Sequence, residues 1–323
     1  MKLIRQKYNY HVSLDTVKEL EDVILLDSKV RYVYEIRKKI SKTLFYAISF
    51  VAKRNRNRNR KIVDDLKEEK SIKNIFAVLM GPDFSKCLPY FLFSGNKSLY
   101  IFDAWPKNHQ IIIKFLNFFK VKNVFFTSSQ ATEIIQNKVP NTACFWVPEG
   151  VFSASYKSLE YKDKTIDVLA LGRIFSKYHE QIVGCLKEND KRYLYEKKKG
   201  AIIFPSRAGF IEGLAKSKIS ICVPSSITHP ERSGDIETIT QRYLQSMLSK
   251  CIILGHAPKE MIALFGYNPV IEIDDKNPEN QIISILNNYD DYHALVEKNY
   301  ETVLKHHTWE NRWELIKKVV NTN

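Results

Sequence analysis

Polar and charged side chains that suit an anionic ligand gather in residues 224–255. Ser225 and Ser226 follow an apolar run, Ile219 to Val223, and Arg242 lies further on among apolar residues at helical spacing. A helix that begins beside the carboxyl end of a strand offers unpaired backbone N–H groups and a positive dipole end to an anion. An arginine there can bind a phosphate through two parallel hydrogen bonds. The segment therefore predicts a phosphate site.

A strand, a loop, a helix and a second strand must hold this site. Apolar residues recur at helical spacing and a polar face runs beside them. The apolar positions are Ile239, Tyr243, Leu244, Met247 and Leu248, and the polar ones are Thr238, Arg242, Gln245 and Ser249. Cys251 to Leu254 is an apolar run closed by Gly255, which is typical of a buried strand. An ordinary β-α-β unit with a solvated polar face is the alternative interpretation.

The same segment resembles the donor-binding motif of the retaining GT-B glycosyltransferases. That motif has Pro-Ser, a loop and then Glu-x7-Glu, and it ends in Glu-Ala-Met-Ala-x-Gly. Glu237 stands at the first acid, and Gln245 stands at the second, so residues 245–250 (QSMLSK) occupy the place of the family's ending. Arg242 matches an arginine found three residues before the second acid in one branch of these enzymes. The loop before Glu237 is longer than in the family.

The resemblance implies a role for each of these residues. Glu237 would lie near the donor sugar and diphosphate, and Gln245 would meet the ribose hydroxyls. If the stretch between them is helical, they are separated by about 12 Å, comparable to the distance from a sugar ring to a ribose. An amide can accept from a hydroxyl and can also donate, so Gln245 is compatible with nucleotide binding. Donor binding is assigned to Ser225, Ser226, Thr238, Arg242 and Gln245, and catalysis to Glu237.

Two further cations follow the predicted strand Thr165–Leu171. Gly172-Arg173 comes directly after it, and Lys177 lies four residues beyond Arg173. In the resembled families a Gly-Arg and a later lysine face the donor diphosphate, although Lys177 is closer than their usual spacing. Fixed cations stabilise the charge that builds on a leaving diphosphate. Arg173 and Lys177 are therefore assigned to donor binding, with a surface salt bridge as the alternative for Arg173.

Two acids, Asp83 and Asp103, follow predicted strands of the N-terminal half. Open α/β sheets place ligands at the carboxyl ends of their strands. Either carboxylate could hold an acceptor hydroxyl or act as a base, so both are catalytic candidates. A turn or a helix N-cap is the alternative for each.

Strands alternate with helices along the whole chain, which predicts an α/β fold of parallel sheets with crossover helices. Predicted strands are Asp22–Asp27, Ile75–Met80, Leu99–Phe102, Asn123–Phe126, Ala143–Val147, Thr165–Leu171, Ala201–Phe204, Ile219–Val223, Cys251–Leu254 and Val270–Ile273. Predicted helices include Val30–Ala52, Gln110–Phe119, Ser128–Asn137 with Ser128 as N-cap, Tyr178–Lys187, Ala208–Ala215 and Gln281–Asn288.

The chain length of 323 residues suggests two domains. The resemblance implies the GT-B architecture of two Rossmann-like domains facing across a cleft, with a C-terminal helix crossing back to the first. Residues 1–150 would be the acceptor-binding domain, residues 151–305 the nucleotide-sugar domain and residues 306–323 the crossover helix. In the resembled fold a Pro-x-Gly-Val segment marks the passage between the domains, and residues 146–151 (WVPEGV) contain one, although on its own this pattern indicates only a turn.

Composition narrows the function classes. There is no Gly-x-Gly-x-x-Gly and no Walker loop, which argues against a dinucleotide oxidoreductase or an NTPase. The five scattered cysteines include no Cys-x-x-Cys pair, so neither a zinc site nor a disulfide framework is indicated. No Asp-x-Asp motif is present to hold a cation on a diphosphate. No metal site is therefore expected, and the donor substrate takes the place of a cofactor.

The net charge of +14 favours anionic partners. The run 53–61 (KRNRNRNRK) lacks interleaved aromatic residues for base stacking. An apolar stretch precedes it, and that combination suits an anionic membrane surface. Residues 40–61 are therefore expected to bind a membrane peripherally, with a solvated loop as the alternative. The longest apolar stretch near the N-terminus is too short to span a bilayer, so the protein is expected in the cytoplasm or on the inner face of the membrane.

The resemblance, together with these patterns, implies a glycosyltransferase that moves a sugar from a UDP- or GDP-linked donor to a carbohydrate or lipid-linked acceptor. The resemblance implies a retaining reaction in surface polysaccharide or lipopolysaccharide synthesis, and the missing Asp-x-Asp motif predicts that the reaction needs no metal. No nucleic acid partner is expected. Two alternatives stay open: a catalytically weakened binding module of the same fold, suggested by Gln245, and a basic nucleic-acid-binding protein, suggested by the charge.

Overall fold

The computed structural model describes residues 1–6, 15–35, 73–88, 90–93, 95–172, 174–198 and 202–321. Two compact units are present, one comprising residues 1–147 and 313–323, the other residues 148–312. Each unit is built on one sheet whose paired strands are all parallel. This confirms the predicted α/β class, because parallel strands need helical crossovers. Residues 40–61, which include the basic run, lie outside the described residues, as does Arg173.

The first unit has a six-stranded sheet in the order β2-β1-β3-β4-β5-β6. Its strands are β1 Lys2–Arg5, β2 Arg31–Tyr34, β3 Asn74–Met80, β4 Asn96–Phe102, β5 Asn123–Phe126 and β6 Ala143–Trp146. Its helices are α1 Asp15–Leu26, α2 Tyr90–Phe93, α3 His109–Phe119 and α4 Ser129–Gln136. Ser128 caps α4 as predicted, since its side chain accepts a hydrogen bond from the Ala131 N–H. The central strands are buried on both faces, which explains their continuous apolar runs.

Two predictions for the first unit are wrong. Residues Asp22–Asp27 are not a strand, because all but the last lie in helix α1. Val17, Leu20 and Ile24 are buried at helical spacing, a pattern that the short apolar run alone did not display. The predicted helix from Val30 is wrong at its start, where residues 31–34 form strand β2 parallel to β1. Its remainder, from residue 36 onward, lies outside the described residues.

The second unit has a five-stranded sheet in the order β11-β10-β9-β7-β8. Its strands are β7 Ile166–Ala170, β8 Tyr193–Tyr195, β9 Ser217–Cys222, β10 Ile252–Gly255 and β11 Ile271–Glu272. Its helices are α5 Ser176–Glu188, α6 Arg207–Ala215, α7 Ser225–Thr228, α8 Pro230–Ser233, α9 Gln241–Leu248, α10 Lys259–Phe265, α11 Pro278–Asn287 and α12 Asp290–His306. Separate apolar cores pack on this sheet, as expected when helices cover both faces of a parallel sheet.

One strand of the second unit was predicted in the wrong place. The edge strand is β8, and residues 202–204 of the predicted strand Ala201–Phe204 are not in a strand. Ile202 is 57% exposed. The Phe204 ring packs over Gly213 so closely that a Cβ there would lie 2.1 Å from the ring. The apolar residues of this segment therefore cover a helix instead of pairing with the sheet.

Strands β9 and β10 approach each other closely where they end. A Cβ added to Gly255 would lie 1.7 Å from the Cys222 carbonyl oxygen, so only glycine fits. The next N–H, that of His256, donates to the same carbonyl at 3.1 Å. This close approach fixes the carboxyl edge of the sheet, where the candidate site lies.

The last helix, α13, spans Trp309–Asn321. Its residues from Trp313 onward group with the first unit, as the resemblance implied for a C-terminal helix. Within the described ranges, no helix combines the length and the apolar character needed to cross a bilayer.

Candidate functional site

The carboxyl ends of β7, β9 and β10 meet at one edge of the second unit's sheet. Gly172 follows β7 in a left-handed conformation, with φ +72°, which turns the chain away from the strand. Ser225 opens α7 two residues after Val223, and His256 follows β10. Ligands of open α/β sheets bind at such an edge. The sequence-predicted donor segment therefore lies where this architecture places ligands.

Arg242 brings a positive charge to this edge. A guanidinium N–H donates to the Leu171 carbonyl, and a Cβ on Gly172 would lie 3.0 Å from Arg242 Nη2 and 3.4 Å from Nη1. Glycine thus lets the guanidinium lie flat against the turn after β7. Burial lowers the pKa of Arg242, and the negative charge of Glu149 opposes that shift in part.

The Arg242 guanidinium has donors to spare. Within the described part of the chain it forms no ion pair, and its side chain makes one hydrogen bond, to a backbone carbonyl. A guanidinium carries five N–H donors, and a partly buried charge is stable only when it is paired or hydrogen-bonded. The arrangement suits a phosphate, which accepts two parallel N–H bonds from arginine.

Helix α9 begins later than its sequence pattern predicts. Its first residue is Gln241, and residues 236–240 are extended or irregular, so the condition of a continuous helix from Glu237 to Gln245 is not met. Two carboxylates take backbone N–H groups of this stretch. Glu260 accepts from Ile239 at 3.0 Å and Glu149 accepts from Gln241 at 2.8 Å. These contacts hold the chain extended up to the helix. The N–H of Gln241, at the start of α9, was expected to face the anion and donates to Glu149 instead.

Glu237 lies in this extended stretch. Its Oε2 atom accepts from the Lys259 N–H at 3.1 Å, at the first residue of α10. Glu237 is partly exposed, whereas its neighbour Thr238 is buried. The carboxylate therefore caps one helix while it stands next to the start of another, α9.

Three buried polar atoms close to the end of β9 lack hydrogen-bond partners among the described residues. They are Ser225 Oγ, Ser226 Oγ and His229 Nδ1. Ser225 is only 4% exposed. Buried polar side chains are normally satisfied, so these three groups are available to hydrogen-bond a ligand at this edge. Hydroxyl groups and an imidazole suit the oxygens of a phosphate or a sugar.

Gln245 lies one turn further along α9 and is 6% exposed. Its Nε2 atom donates to the Tyr156 hydroxyl at 2.7 Å. The amide at the position of the family's second acid is therefore held by a side chain 89 residues away.

Lys177 lies in the first turn of α5 and forms an ion pair with Asp275 at 3.0 Å. Its side chain is 59% exposed, so the lysine is a solvated cation with a surface partner. Arg173 belongs to the residues whose placement the structure does not describe. Both assignments stay predictions.

Asp83 and Asp103 follow neighbouring strands of the first unit, β3 and β4. Asp83 precedes a short 3-10 helix, Phe84–Cys87, and its Oδ1 accepts from the Ser85 hydroxyl at 2.7 Å. Asp103 has φ +50°, an uncommon conformation for a residue other than glycine. Strained backbone of this kind often marks functional sites. The structure brings both acids to the carboxyl edge, as the sequence predicts.

Sequence reasoning missed the residues that organise the site from a distance. Glu149, Glu260 and Tyr156 act on α9 and the stretch before it across 92, 21 and 89 positions of sequence. Glu149 lies in the boundary segment 146–151, whose Pro-Glu-Gly pattern indicates only a turn. No local signal in the sequence predicts these contacts.

The sequence matches no family model and no curated protein. The fold is similar to that of sucrose-phosphate synthase from Thermosynechococcus elongatus, with TM-score 0.64, 10% identity and coverage of 99% of this chain and 98% of that one. It is also similar to HepE from Anabaena in complex with UDP-glucose, with TM-score 0.61, 8% identity and coverage of 100% and 99%. TarM gives TM-score 0.52 at 14% identity over 76% of this chain, which spans 55% of the length of TarM.

These similarities extend over both parallel sheets. The chain therefore has the fold of the GT-B glycosyltransferases. At 8–14% identity the likeness establishes the fold, and function must be argued from the site.

Proposed function

We propose that the protein is a glycosyltransferase that uses a nucleoside-diphosphate sugar as donor. The observation that carries this proposal is the Arg242 guanidinium, which lies against Gly172 at the carboxyl edge of the sheet without a carboxylate partner among the described residues. The orphaned hydroxyls of Ser225 and Ser226 support it. The complex of HepE with UDP-glucose shows that a protein of this fold binds such a donor.

The donor's diphosphate is the natural ligand of this edge. As the glycosidic bond breaks, negative charge builds on the leaving diphosphate, and a cation fixed in place stabilises it more in the transition state than in the ground state. Arg242 supplies that charge, and the serine hydroxyls donate to phosphate oxygens. Arg173, Lys177 and Thr238 are proposed as further donor-binding residues, and Gln245 as the residue that meets the ribose.

Catalysis is proposed to involve three acids. Glu237 would contact the donor sugar and diphosphate, while Asp83 or Asp103 would hold the acceptor hydroxyl or remove its proton. The reaction is proposed to retain the configuration of the sugar. The acceptor is proposed to be a carbohydrate or a lipid-linked sugar in the synthesis of a surface polysaccharide or lipopolysaccharide.

Turnover is proposed to need no divalent metal. The sequence has no Asp-x-Asp motif, and Arg242 can stabilise the diphosphate instead. Activity in EDTA should equal activity in added Mg²⁺ or Mn²⁺. A complete loss in EDTA that metal restores would overturn this part of the proposal.

The test of the proposal is a thermal-shift panel of UDP-, GDP-, dTDP- and CMP-sugars, with oligonucleotides as the competing class. A nucleotide-sugar that binds at micromolar concentration should raise the melting temperature, and release of nucleoside diphosphate should follow when acceptor is added. Binding without release would instead favour the weakened binding module, which the amide at Gln245 suggests. Stabilisation by oligonucleotides alone would refute the proposal.

A further inference from the structure

Arg312 is a buried cation that joins two segments of the second unit that lie far apart in sequence. It is 5% exposed. Its Nε atom donates to the Pro148 carbonyl at 3.0 Å, and Nη1 donates to the His306 carbonyl at 3.1 Å. Nη2 donates to Nδ1 of His307 at 2.8 Å and makes a longer contact, 3.5 Å, with the Glu149 carbonyl. The rigid fork of a guanidinium suits several acceptors at once, so Arg312 ties the segment where this unit begins to the segment before α13.

Backbone contacts hold the same two segments side by side. Val151 and Thr308 form an isolated parallel bridge, and the Trp309 N–H donates to the Val151 carbonyl at 3.1 Å. A Cβ added to Gly150 would lie 2.9 Å from the Trp309 nitrogen, so glycine allows the two backbones to approach closely. Residues 148–151 are therefore fixed by contacts that do not involve α9.

The Glu149 side chain extends from this fixed segment to the start of α9. Glu149 is 8% exposed, and its Oε2 atom accepts from the Gln241 N–H at 2.8 Å. Hydrogen bonds from a backbone N–H to a carboxylate are among the stronger ones in proteins. Arg242 is the next residue, and its guanidinium lies against Gly172 at the sheet edge. A shift of the Gln241 backbone would therefore move the Cα atom from which the Arg242 side chain extends.

We propose that Arg312 is a positioning residue for the donor site and that it acts on Arg242 through Glu149. Arg312 holds the backbone of Glu149, and the Glu149 carboxylate holds the start of α9. The position of α9 then sets where the Arg242 guanidinium meets a phosphate. Binding sites work well only when their side chains are held to within about 0.5 Å of the productive geometry. The inference rests on the proposed function, because it concerns the same anion site.

Variants of Glu149 separate its geometry from its charge. Glu149→Asp keeps the negative charge but shortens the side chain by one methylene, so the carboxylate no longer reaches the Gln241 N–H from an unchanged backbone. Glu149→Gln keeps the length and an acceptor but removes the charge. If Glu149 positions α9, Glu149→Asp should weaken the binding of UDP or GDP severalfold, whereas Glu149→Gln should not weaken it. Wild-type affinity in Glu149→Asp would overturn the inference.

A double-mutant cycle tests whether Arg312 acts through Glu149. Arg312→Lys keeps the positive charge but lacks the planar fork that bonds both segments. Calorimetry should show affinity for UDP or GDP about three- to tenfold weaker than in the wild type, part of the contribution of one charge-assisted bond. The same loss should appear when Arg312→Lys is added to Glu149→Gln, in which the link to α9 is kept. Added to Glu149→Asp, it should change the affinity no further, and a full additional loss there would contradict the proposal.

Ile182→Ala is the matched control for lost stability. Ile182 is fully buried in the apolar core that does not include α9, so this variant should lower the melting temperature and leave the affinity unchanged. A lower melting temperature with wild-type affinity in Arg312→Lys would make Arg312 merely structural and leave the proposed function intact. Should Arg312→Lys not fold, the comparison of Glu149→Asp with Glu149→Gln decides. If the wild type binds neither UDP nor GDP, the proposed function fails together with the inference.

Discussion

Replacing Arg242 tests the candidate site most directly. The guanidinium lies in the turn after β7, bonded to the Leu171 carbonyl and packed against Gly172. Arg242→Ala removes the charge and leaves that carbonyl without this donor. Arg242→Lys keeps the charge but not the planar fork that can bond a carbonyl and a phosphate at once.

The size of the effect follows from the contacts. A hydrogen bond to a charged group contributes about 1.5–3 kcal/mol, so loss of one phosphate contact of about 2 kcal/mol should weaken donor binding about 30-fold. Arg242→Lys should recover part of this, because an ammonium makes one directed contact in place of two. Gly172→Ala should weaken binding less, since its Cβ displaces the guanidinium by tenths of an ångström, and its φ of +72° adds about 1–2 kcal/mol of strain.

Isothermal calorimetry with the nucleoside diphosphate found in the panel measures these affinities, and thermal unfolding separates loss of fold from loss of site. Lys250→Ala is the matched control. It removes one positive charge beyond the opposite end of α9, where Lys250 pairs with Glu297 at 2.8 Å. Unchanged affinity in Arg242→Ala, or equal losses in Arg242→Ala and Lys250→Ala, would refute the assignment of the anion site.

Three other outcomes are expected. Gly255→Ala should lower the unfolding free energy by about 3 kcal/mol or more, because the added Cβ has no room. Gly184→Ala in α5 should raise it by about 0.5–1 kcal/mol, because a Cβ there would meet no atom within 4 Å. A denaturant titration in which both variants change the unfolding free energy in the same direction would contradict the packing. Burial, and to a lesser extent the positive charge of Arg312, lowers the pKa of His307 from its ordinary 6.5 to about 3. The contribution of neutral His307 to stability should therefore be complete above pH 6.5. It should fall by about 1.4 kcal/mol per pH unit on acidification towards pH 3. His307→Gln keeps an acceptor for Arg312 and should flatten this slope; an identical slope would exclude His307 as its source. Deleting Lys53–Lys61 should reduce sedimentation with anionic liposomes, because each cation should contribute about 1 kcal/mol at an anionic surface. Raised salt should have the same effect on the full chain. Equal sedimentation of both forms would argue for a plain loop.

The sequence predicted elements well where the apolar pattern is local and complete. Strands β3 to β6 and helix α3 lie within a few residues of their predicted ranges, because strands buried on both faces give continuous apolar runs. Helix α12 was missed. Its buried positions, among them Val296 and Val303, are sparse among polar residues, so its pattern is weak without knowledge of what it covers.

The candidate site shows a different limit. Arg242 and the two serines were identified because their types and order suit an anion, and the structure brings them to one sheet edge. The start of α9 was not predicted, because propensity does not reveal that Glu149 and Glu260 hold the preceding backbone extended. Contacts between residues far apart in sequence decide that boundary, and only the folded unit contains them.

These two carboxylates also affect where the positive potential of the site comes from. A helix N-terminus attracts an anion through its unpaired N–H groups, but the Gln241 N–H already donates to Glu149, and Ile239 before the helix donates to Glu260. Because these carboxylates lie close to the start of α9, their negative charge offsets part of the helix dipole. Arg242 therefore has to supply positive potential that a helix N-terminus without such neighbours would provide. For this reason the guanidinium should contribute more to donor binding than the helix does. Glu149→Gln, which removes the charge while keeping an acceptor for Gln241, should therefore tighten diphosphate binding. A weaker affinity in that variant would mean that Glu149 supports the bound donor through the geometry of α9 more than it opposes the donor by its charge.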